Sequence, residues 1–338
     1  MQIPRKITSY LHEILLAALV IALLLVAHKI DAKHFTSAAN QQAFLFNVWD
    51  LALLSLPMTF IVITAGIDLS VGSTMALASV TLGMLHKLAG WPIPAAAAAA
   101  LAVGLLCGLL NGFFITKIRV HPLIVTLATL SLYRGLAEGL SLGISAALHV
   151  NAVYSNFPAS FTRLGQKALL AGADPANPPL YALAPIGWIF LAAAPFAAVC
   201  LAKTPFGRTV YATGFNETAA RFSGLRVDRA KLIIYSLSGL TAAVVALHYS
   251  AYNDSAQASV GTGIELDVIT AVVLGGTSIF GGRGRILGTL LGVALIHETR
   301  EFVSWHFHQN ELVRIVLGAL LITAVAANAL LARKSDRT

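Results

Sequence analysis

Ten apolar stretches, separated by short polar or glycine-rich segments, set the pattern of this chain. Several approach the roughly 20 apolar residues that a helix needs to cross a bilayer. We predict spans at 13–30, 44–66, 70–89, 93–116, 123–144, 183–202, 231–252, 267–282, 284–299 and 312–332. The eighth and ninth are short, so together they could form one broken or re-entrant element. The pattern predicts an all-α polytopic membrane protein with about ten transmembrane helices, some of them broken or short, in a single domain over residues 1–338.

Composition supports a membrane protein. Hydrophobic residues make up 57% of the chain and charged residues only 11%, whereas soluble domains carry about 25% charged residues. Cys107 and Cys200 lie inside apolar stretches and are interpreted as small fillers, since neither a disulfide framework nor a metal site is indicated. The net charge of +8 is explained by basic cytoplasmic loops, so we expect a lipid bilayer and no nucleic acid as partner.

The distribution of Lys and Arg predicts the orientation. With the N-terminus inside, the inner segments hold fifteen such residues: Arg5, Lys6, Lys117, Arg119, Lys203, Arg208, Arg221, Arg226, Arg229, Lys231, Arg283, Arg285, Arg333, Lys334 and Arg337. The outer segments hold six: Lys29, Lys33, Lys87, Arg163, Lys167 and Arg300. Since basic residues collect in the cytosol, both termini and the segment 203–231 are predicted to be cytoplasmic. Residues 145–182 then form the longest external loop, which we expect to be irregular.

Three predicted spans carry a glycine at every fourth position. The rows are Gly104/Gly108/Gly112, Gly135/Gly139/Gly143 and Gly284/Gly288/Gly292. Small residues at this spacing let helix backbones approach closely in a membrane. We expect all three rows to pack within the bundle rather than to contact a ligand.

Motifs for catalysis are missing from the sequence. We find no G-x-x-x-x-G-K-[ST] phosphate loop, no H-E-x-x-H and no G-x-S-x-G. The ten histidines show no metal-ligand spacing. We therefore expect neither a cofactor, nor an enzyme site, nor an ATPase site in this chain.

Three polar groups inside apolar stretches are candidates for a gate or a solute path. The first comprises Asp68, Ser70, Gly72 and Ser73, where Asp68 or Ser70 could instead cap the following helix. The second comprises Gly275, Gly276, Thr277 and Ser278, where the backbone must face either something polar or a tight neighbour. The third comprises Arg134 and Glu138, four residues apart, which either neutralise each other or contact a polar solute. Asp50 has the same ambiguity.

The segment Lys203–Lys231 is the one long basic segment between apolar stretches. It contains a predicted short helix from Asn216 to about Phe222. Asn216 is a suitable N-cap, Glu217 lies in the first turn, and Gly224 ends the helix. We expect the two small side chains Ala219 and Ala220 to leave a smooth surface for the groove of a partner.

Four motifs together resemble one family. They are "GIDLSVGS" at 66–73, "HPLIVTLATLSLYRGLA" at 121–137, "G-x-N-x-x-A-A-x-x-S-G-L-x-V" at 214–227 and "AVVLGGTSIFGGRG" at 271–284. The chain resembles, from about residue 45 to 330, the ATP-binding cassette importer permeases of the ribose/xylose/rhamnose/autoinducer-2 type.

The resemblance implies a function and partners. Such a permease lies in the bacterial inner membrane, pairs with a second permease subunit, and imports a sugar or sugar-like solute delivered by an extracytoplasmic binding protein. Separate ATPase subunits would dock on a coupling segment whose positions here are Gly214, Asn216, Glu217, Ala219, Ala220, Arg221, Ser223 and Gly224. The loop 145–182 is longer than the family pattern implies.

The alternative is a stand-alone, ion-coupled secondary transporter of a small polar solute. That mechanism needs buried acids as coupling sites. The chain offers few, namely Asp50, Asp68 and Glu138.

Overall fold

The computed structural model describes residues 11–31, 35, 38–149, 152–166 and 184–335. Its helices are α1 (Leu11–Asp31), α2 (Ala38–Ile63), α3 (Val71–Lys87), α4 (Ile93–Phe113), α5 (Pro122–Leu148), α6 (Ala159–Gln166), α7 (Pro185–Lys203), α8 (Pro205–Phe215), α9 (Glu217–Phe222), α10 (Val227–Tyr252), α11 (Ile264–Leu274), α12 (Ile286–Phe307) and α13 (Asn310–Ser335). A π-helical turn, Phe114–Ile118, extends α4. Two strands, β1 (Tyr154–Ser155) and β2 (Ser255–Ala256), pair antiparallel. The all-α prediction is confirmed.

Each predicted span is matched by a helix. Five helices are long and apolar enough to cross a membrane, at His12–Ile30, Ile93–Ile118, Pro122–Ile144, Pro185–Lys203 and Val227–Tyr252. The eighth span differs most from its prediction, because α11 ends at Leu274. Gly276 then adopts a positive φ of 84°, which suits glycine and ends the helix.

The predicted irregular loop 145–182 is partly regular. Helix α5 extends to Leu148, and the strand β1 and the helix α6 follow. Gly165 of α6 lies against the backbone of Ala251 and Tyr252, so α6 packs on the end of α10. Residues 167–182 lie outside the described residues.

The chain forms two compact units. Unit 1 comprises Met1–Ala65, Ala194–Ser223 and Asp267–Thr338, and unit 2 comprises Gly66–Ala193 and Gly224–Leu266.

In unit 2, the glycine row of α4 packs against α10. A methyl group at Gly108 would overlap the carbonyl oxygen of Tyr235, and Gly104 meets the backbone of Gly239 in the same way. Deeper in the same interface, Tyr235 and Ile234 are fully buried. This contact confirms close packing for the first predicted row, since only glycine lets the two backbones approach so far.

In unit 1, the glycine row of α12 packs against α11. Gly288 lies on the carbonyl of Gly275, and Gly292 lies on that of Ala271. Helix α2 joins them through a buried hydrogen bond of 2.8 Å between the hydroxyls of Thr59 and Thr289. The prediction of packing within the bundle is therefore confirmed for this row as well.

Candidate coupling segment and polar sites

The predicted short helix is α9, and its ends are built as expected. The Oδ1 of Asn216 accepts from the N–H of Ala219 at 2.9 Å, which satisfies one free donor of the first turn. Glu217 and Arg221, one turn apart, form an ion pair of 2.8 Å. Gly224 follows with a positive φ of 78°. These local contacts account for both ends of the helix.

The surface of α9 differs from its prediction in one respect. Ala219 is exposed, but Ala220 is only 4% exposed, so the expected two-alanine surface is wrong for Ala220. Two aromatic side chains that sequence reasoning missed flank the helix instead. Phe215 is 85% exposed and Phe222 is 89% exposed, more than any other large hydrophobic side chain in the described residues. Their signal in the sequence was two phenylalanines inside a basic segment.

Helix α8 joins α9 to the rest of unit 1. Thr204 caps α8 by accepting from the N–H of Gly207 at 3.2 Å. Farther along, the hydroxyl of Tyr211 donates to the carbonyl of Gly284 at 2.7 Å. At the start of α8, Phe206 also packs its ring against that of Phe60 of α2, with centroids 6.2 Å apart. The helix before α9 is therefore held at its start and at its middle.

Gly214 forms the closest of these contacts. A methyl group there would overlap the carbonyl oxygen of Ile63 and the amide nitrogen of Gly282. The N–H of Gly282 donates to the same Ile63 carbonyl at 2.9 Å. The end of α2, the end of α8 and the turn after α11 thus meet through their backbones, directly beside α9.

The second predicted group, at residues 275–278, is closed. Gly275 lies on Gly288, Thr277 is buried, and the N–H of Ser278 donates to the carbonyl of Arg283 at 2.9 Å to close a turn. Gly276 faces the ring of His12. Of the two alternatives for this glycine-rich stretch, the tight neighbour is the one observed.

Asp68 and Ser70 lie in a buried polar cluster in unit 2. The Oδ1 of Asp68 accepts from the hydroxyl of Ser70 at 2.6 Å and from its N–H at 3.0 Å. The hydroxyl of Ser238 lies 2.8 Å from the Oδ2. Ser70 is the N-cap residue of α3, but its side chain accepts from no N–H of that helix, so capping by Ser70, one of the two options, is not observed, whereas Asp68 accepts from the N–H of Ser70. The short polar side chains connect helices instead.

Neighbouring positions complete this cluster. The Nδ2 of Asn111 donates to the hydroxyl of Ser70 at 2.8 Å, and the hydroxyl of Tyr133 lies 3.2 Å from the Oδ1 of Asn111. The hydroxyl of Ser73 donates to the carbonyl of Ser70 at 2.9 Å, while Gly72 lies against the backbone of Gly261. Sequence reasoning missed Asn111 and Tyr133, because a single polar residue in an apolar stretch carries little signal.

Arg134 does not form the predicted pair with Glu138. Its guanidinium donates to the carbonyls of Ala258 and Val260, the latter at 3.0 Å. No ion pair joins Arg134 to Glu138 in the described part of the chain, although Glu138 and Glu265 both act on Arg134 electrostatically. Arg134 therefore satisfies the backbone of a non-helical segment.

That segment, residues 257–263, runs alongside α3. Ala256, at its start, pairs with Tyr154, whose ring lies against Gly83, and Gly261, near its end, lies against Gly72. Gly72 and Gly83 are eleven residues apart in α3, a distance of about 16 Å along the helix axis. Non-helical backbone inside a membrane protein is tolerated where it is buried in protein or lines a cavity.

Comparisons with known proteins agree with this architecture. The family model described as "Branched-chain amino acid transport system / permease component" matches residues 40–325. The chain is 36% identical over 280 residues to "Autoinducer 2 import system permease protein LsrD" of Yersinia enterocolitica, covering 83% of this chain and 80% of that protein. The proteins of the same name from Klebsiella pneumoniae and Photorhabdus luminescens are 35% and 33% identical over the same shares.

A solved chain, "PsaBC from Streptococcus pneumoniae in complex with Fab", aligns over 92% of this chain and 94% of its own. Its TM-score of 0.41 and identity of 14% are too low to assign the fold. The family match covers most of the chain and names a transport component rather than an enzyme. The chain belongs to this family of multi-pass membrane permeases, the permease components of branched-chain amino acid-type transport systems.

Proposed function

We propose that this permease imports a sugar or sugar-like solute as the membrane-spanning subunit of an ATP-binding cassette importer. An extracytoplasmic binding protein would deliver the solute, and separate ATPase subunits would drive its import. The relatives support the solute class, since they are named for import of autoinducer 2. The excess of Lys and Arg in the predicted inner segments supports an orientation with both termini in the cytoplasm.

The ATPase docks on α9 in this proposal. The observation that carries it is the exposure of Phe215 and Phe222 on either side of a capped helix. Exposed aromatic side chains are the usual anchors of protein interfaces. Lys203 and Arg208 of the same unit are also exposed, so the docking groove of the ATPase is expected to combine apolar pockets with acidic rims.

The contact at Gly214 would transmit the movement of the ATPase. Because the backbones of Ile63, Gly214 and Gly282 touch directly, a displacement of α9 is passed to the end of α2 and to the turn after α11 without flexible side chains between them. Of the coupling positions predicted from the sequence, Gly214 would thus transmit the movement, whereas Ala220 is buried and lies outside the proposed contact surface.

Replacing Phe222 with Asp tests the docking. We expect the affinity for the ATPase to fall at least about tenfold, since a buried aromatic anchor is replaced by a charge. The permease itself should keep its thermal stability, because the side chain contacts solvent. Copurification of the ATPase with the permease from membranes measures the first effect.

Phe222→Leu is the matched control, since it keeps an apolar side chain, and Phe215→Asp repeats the test at the other end of α9. If both Asp variants retained the ATPase and solute uptake, docking on α9 would be excluded.

We also propose that Arg134, Glu138 and the segment 257–263 form part of the solute path. Among the predicted path residues, Glu138 is exposed, and a Cβ added at the neighbouring Gly135 or Gly139 would meet nothing within 4 Å. The open space beside this charged face suits a polar solute, whereas the groups at residues 68–73 and 275–278 are closed.

Glu138→Gln tests this path. We expect the solute concentration for half-maximal uptake to rise about tenfold, since a hydrogen bond to a charged group is lost. Uptake by proteoliposomes that contain the ATPase and the binding protein measures this change. Glu311→Gln, at an exposed acid in α13, is the control. An unchanged half-maximal concentration in the Glu138 variant would remove this face from the path.

A further inference from the structure

Asp68 is a buried acid without a cationic partner. Its side chain is 2% exposed, and within the described residues it forms no ion pair. The two other acidic residues that are less than 10% exposed in the described part of the chain differ, since Asp267 pairs with Arg300 and Glu13 with Arg285. A buried carboxylate without a compensating charge costs several kcal/mol, so such a group is normally paired or neutral.

The hydrogen bonds at the Oδ1 of Asp68 have defined donors. The hydroxyl of Ser70 accepts from the Nδ2 of Asn111 at 2.8 Å, so its own proton is free to be donated to the Oδ1 of Asp68 at 2.6 Å. The N–H of Ser70 also donates to this oxygen. The Oδ1 is therefore an acceptor of two hydrogen bonds, as the carbonyl oxygen of a neutral acid would be.

At the Oδ2 of Asp68, either partner of the hydrogen bond can be the donor. The Oδ2 has one neighbour, the hydroxyl of Ser238 at 2.8 Å, and either oxygen can carry the proton of that hydrogen bond. The hydroxyl of Tyr235, three residues earlier and on the same face of α10, is buried and has no hydrogen-bond partner among the described residues. The hydroxyl of Tyr235 is thus still unsatisfied within the described residues after all observed hydrogen bonds of the cluster have been counted.

The titratable groups on which Asp68 acts are all neutral at pH 7. They are Cys107 of α4, Tyr133 of α5 and Tyr235 of α10. The charged or titratable side chains elsewhere on the helices of the cluster, including the π-helical turn, are His86, Lys87, Lys117, Arg134, Glu138, Asp228, Arg229, Lys231, His248, Tyr249 and Tyr252. Lys231 precedes Ser238 by seven residues, about 10 Å along the helix axis. None of them supplies a counter-charge at Asp68.

We propose that Asp68 holds one bound proton, which stays in place throughout transport. The side chain is a neutral carboxylic acid whose Oδ2 donates to the hydroxyl of Ser238. The oxygen–oxygen distances of 2.6 and 2.8 Å are those of direct hydrogen bonds. The neutral acid connects the start of α3 to α4 and α10 and has no part in ion coupling. This proposal stands independently of the docking on α9.

Asparagine is the test substitution, since its amide reproduces a neutral acid with one acceptor and one donor. We expect Asp68→Asn to keep the thermal unfolding midpoint and the uptake rate of the wild type. Asp68→Ala should lower the midpoint by about 5 °C or more, because it leaves Ser70 and Ser238 without partners. In the matched control, Asp267→Asn, the midpoint should fall, because Arg300 loses its charged partner.

Infrared spectroscopy with ¹³C-labelled Asp observes the proton directly. We expect the carbonyl stretch of a protonated carboxyl group in the wild type, its absence in Asp68→Asn, and no change when sodium is replaced by N-methylglucamine. Absence of the band in the wild type would overturn the proposal. So would an Asp68→Asn variant as unstable as Asp68→Ala, or a stabilisation of the wild type by sodium that Asp68→Asn lacks, which would indicate a bound metal ion.

Discussion

Two glycine rows of unit 2 have the same spacing and opposite surroundings. In α4, a methyl group at Gly104 or Gly108 would overlap the backbone of α10. In α5, a methyl group at Gly135, Gly139 or Gly143 would meet nothing within 4 Å. Packing of the α5 row within the chain, which the sequence pattern predicts, is therefore wrong. The spacing shows that a helix permits close approach, but it does not say what approaches.

The difference also separates two uses of a small residue. Along α4 the glycines let two helices share an interface, and the polar cluster around Asp68 lies beside it. Along α5 the glycines leave space beside Arg134, while Leu132, Leu136 and Leu140 on the same helix are exposed. The α5 row therefore lies at a surface of the described part of the chain, beside the solute path that we propose.

The largest effect is expected for Gly108→Leu. The side chain would have to displace the backbone of Tyr235 and Ser236, which cannot move aside as a side chain can. We expect no correctly folded permease, measured as loss of the monodisperse peak in size-exclusion chromatography of the detergent-solubilised protein. Gly139→Leu should give the wild-type peak. If both variants gave the same elution profile, the two glycine rows would not differ in how tightly they are packed.

A smaller effect is expected for Gly108→Ala. A single methyl group still overlaps the Tyr235 carbonyl, and overpacking of this kind costs about 1–3 kcal/mol. The midpoint of thermal unfolding should therefore fall. The fold should stay intact, because a small shift of α4 can accommodate one methyl group. A variant as stable as the wild type would mean that α4 and α10 lie farther apart than the structure has them.

The smallest effect, with the opposite sign, is expected for Gly139→Ala. Alanine is favoured over glycine in a helix interior by about 1 kcal/mol, and here no neighbour opposes the added methyl group. The midpoint should stay unchanged or rise slightly. A clear fall in the isolated permease would show that the α5 row packs within the chain after all.

Much of the fold follows from the sequence because long apolar stretches leave a chain few choices in a bilayer. The ends of α1, α3, α4 and α7 lie within a few residues of their predictions. The end of α11 and the regular part of the loop 145–182 were not predicted, since they depend on which elements pack there. The contact between Gly165 of α6 and the end of α10 is an example, since it has no local signature in the sequence.

Local chemistry predicts α9 well, since Asn216, Glu217 and Gly224 determine its ends. The partners of isolated polar residues could not be read in the same way. Arg134 bonds to Ala258 and Val260, more than a hundred residues away, and Asp68 bonds to Ser238 at a similar separation. A sequence shows that such a side chain must be satisfied, but tertiary packing selects the group that satisfies it.

The contact at Gly214 has a consequence for how this permease can change over evolutionary time. It is formed by peptide groups of Ile63, Gly214, Gly281 and Gly282, so its geometry is independent of most side chains around it. Under the docking that we propose, the exposed residues of α9 can vary to match a different ATPase while the contact at Gly214 is preserved. Specificity of subunit pairing and mechanical transmission would then be inherited separately, a few residues apart.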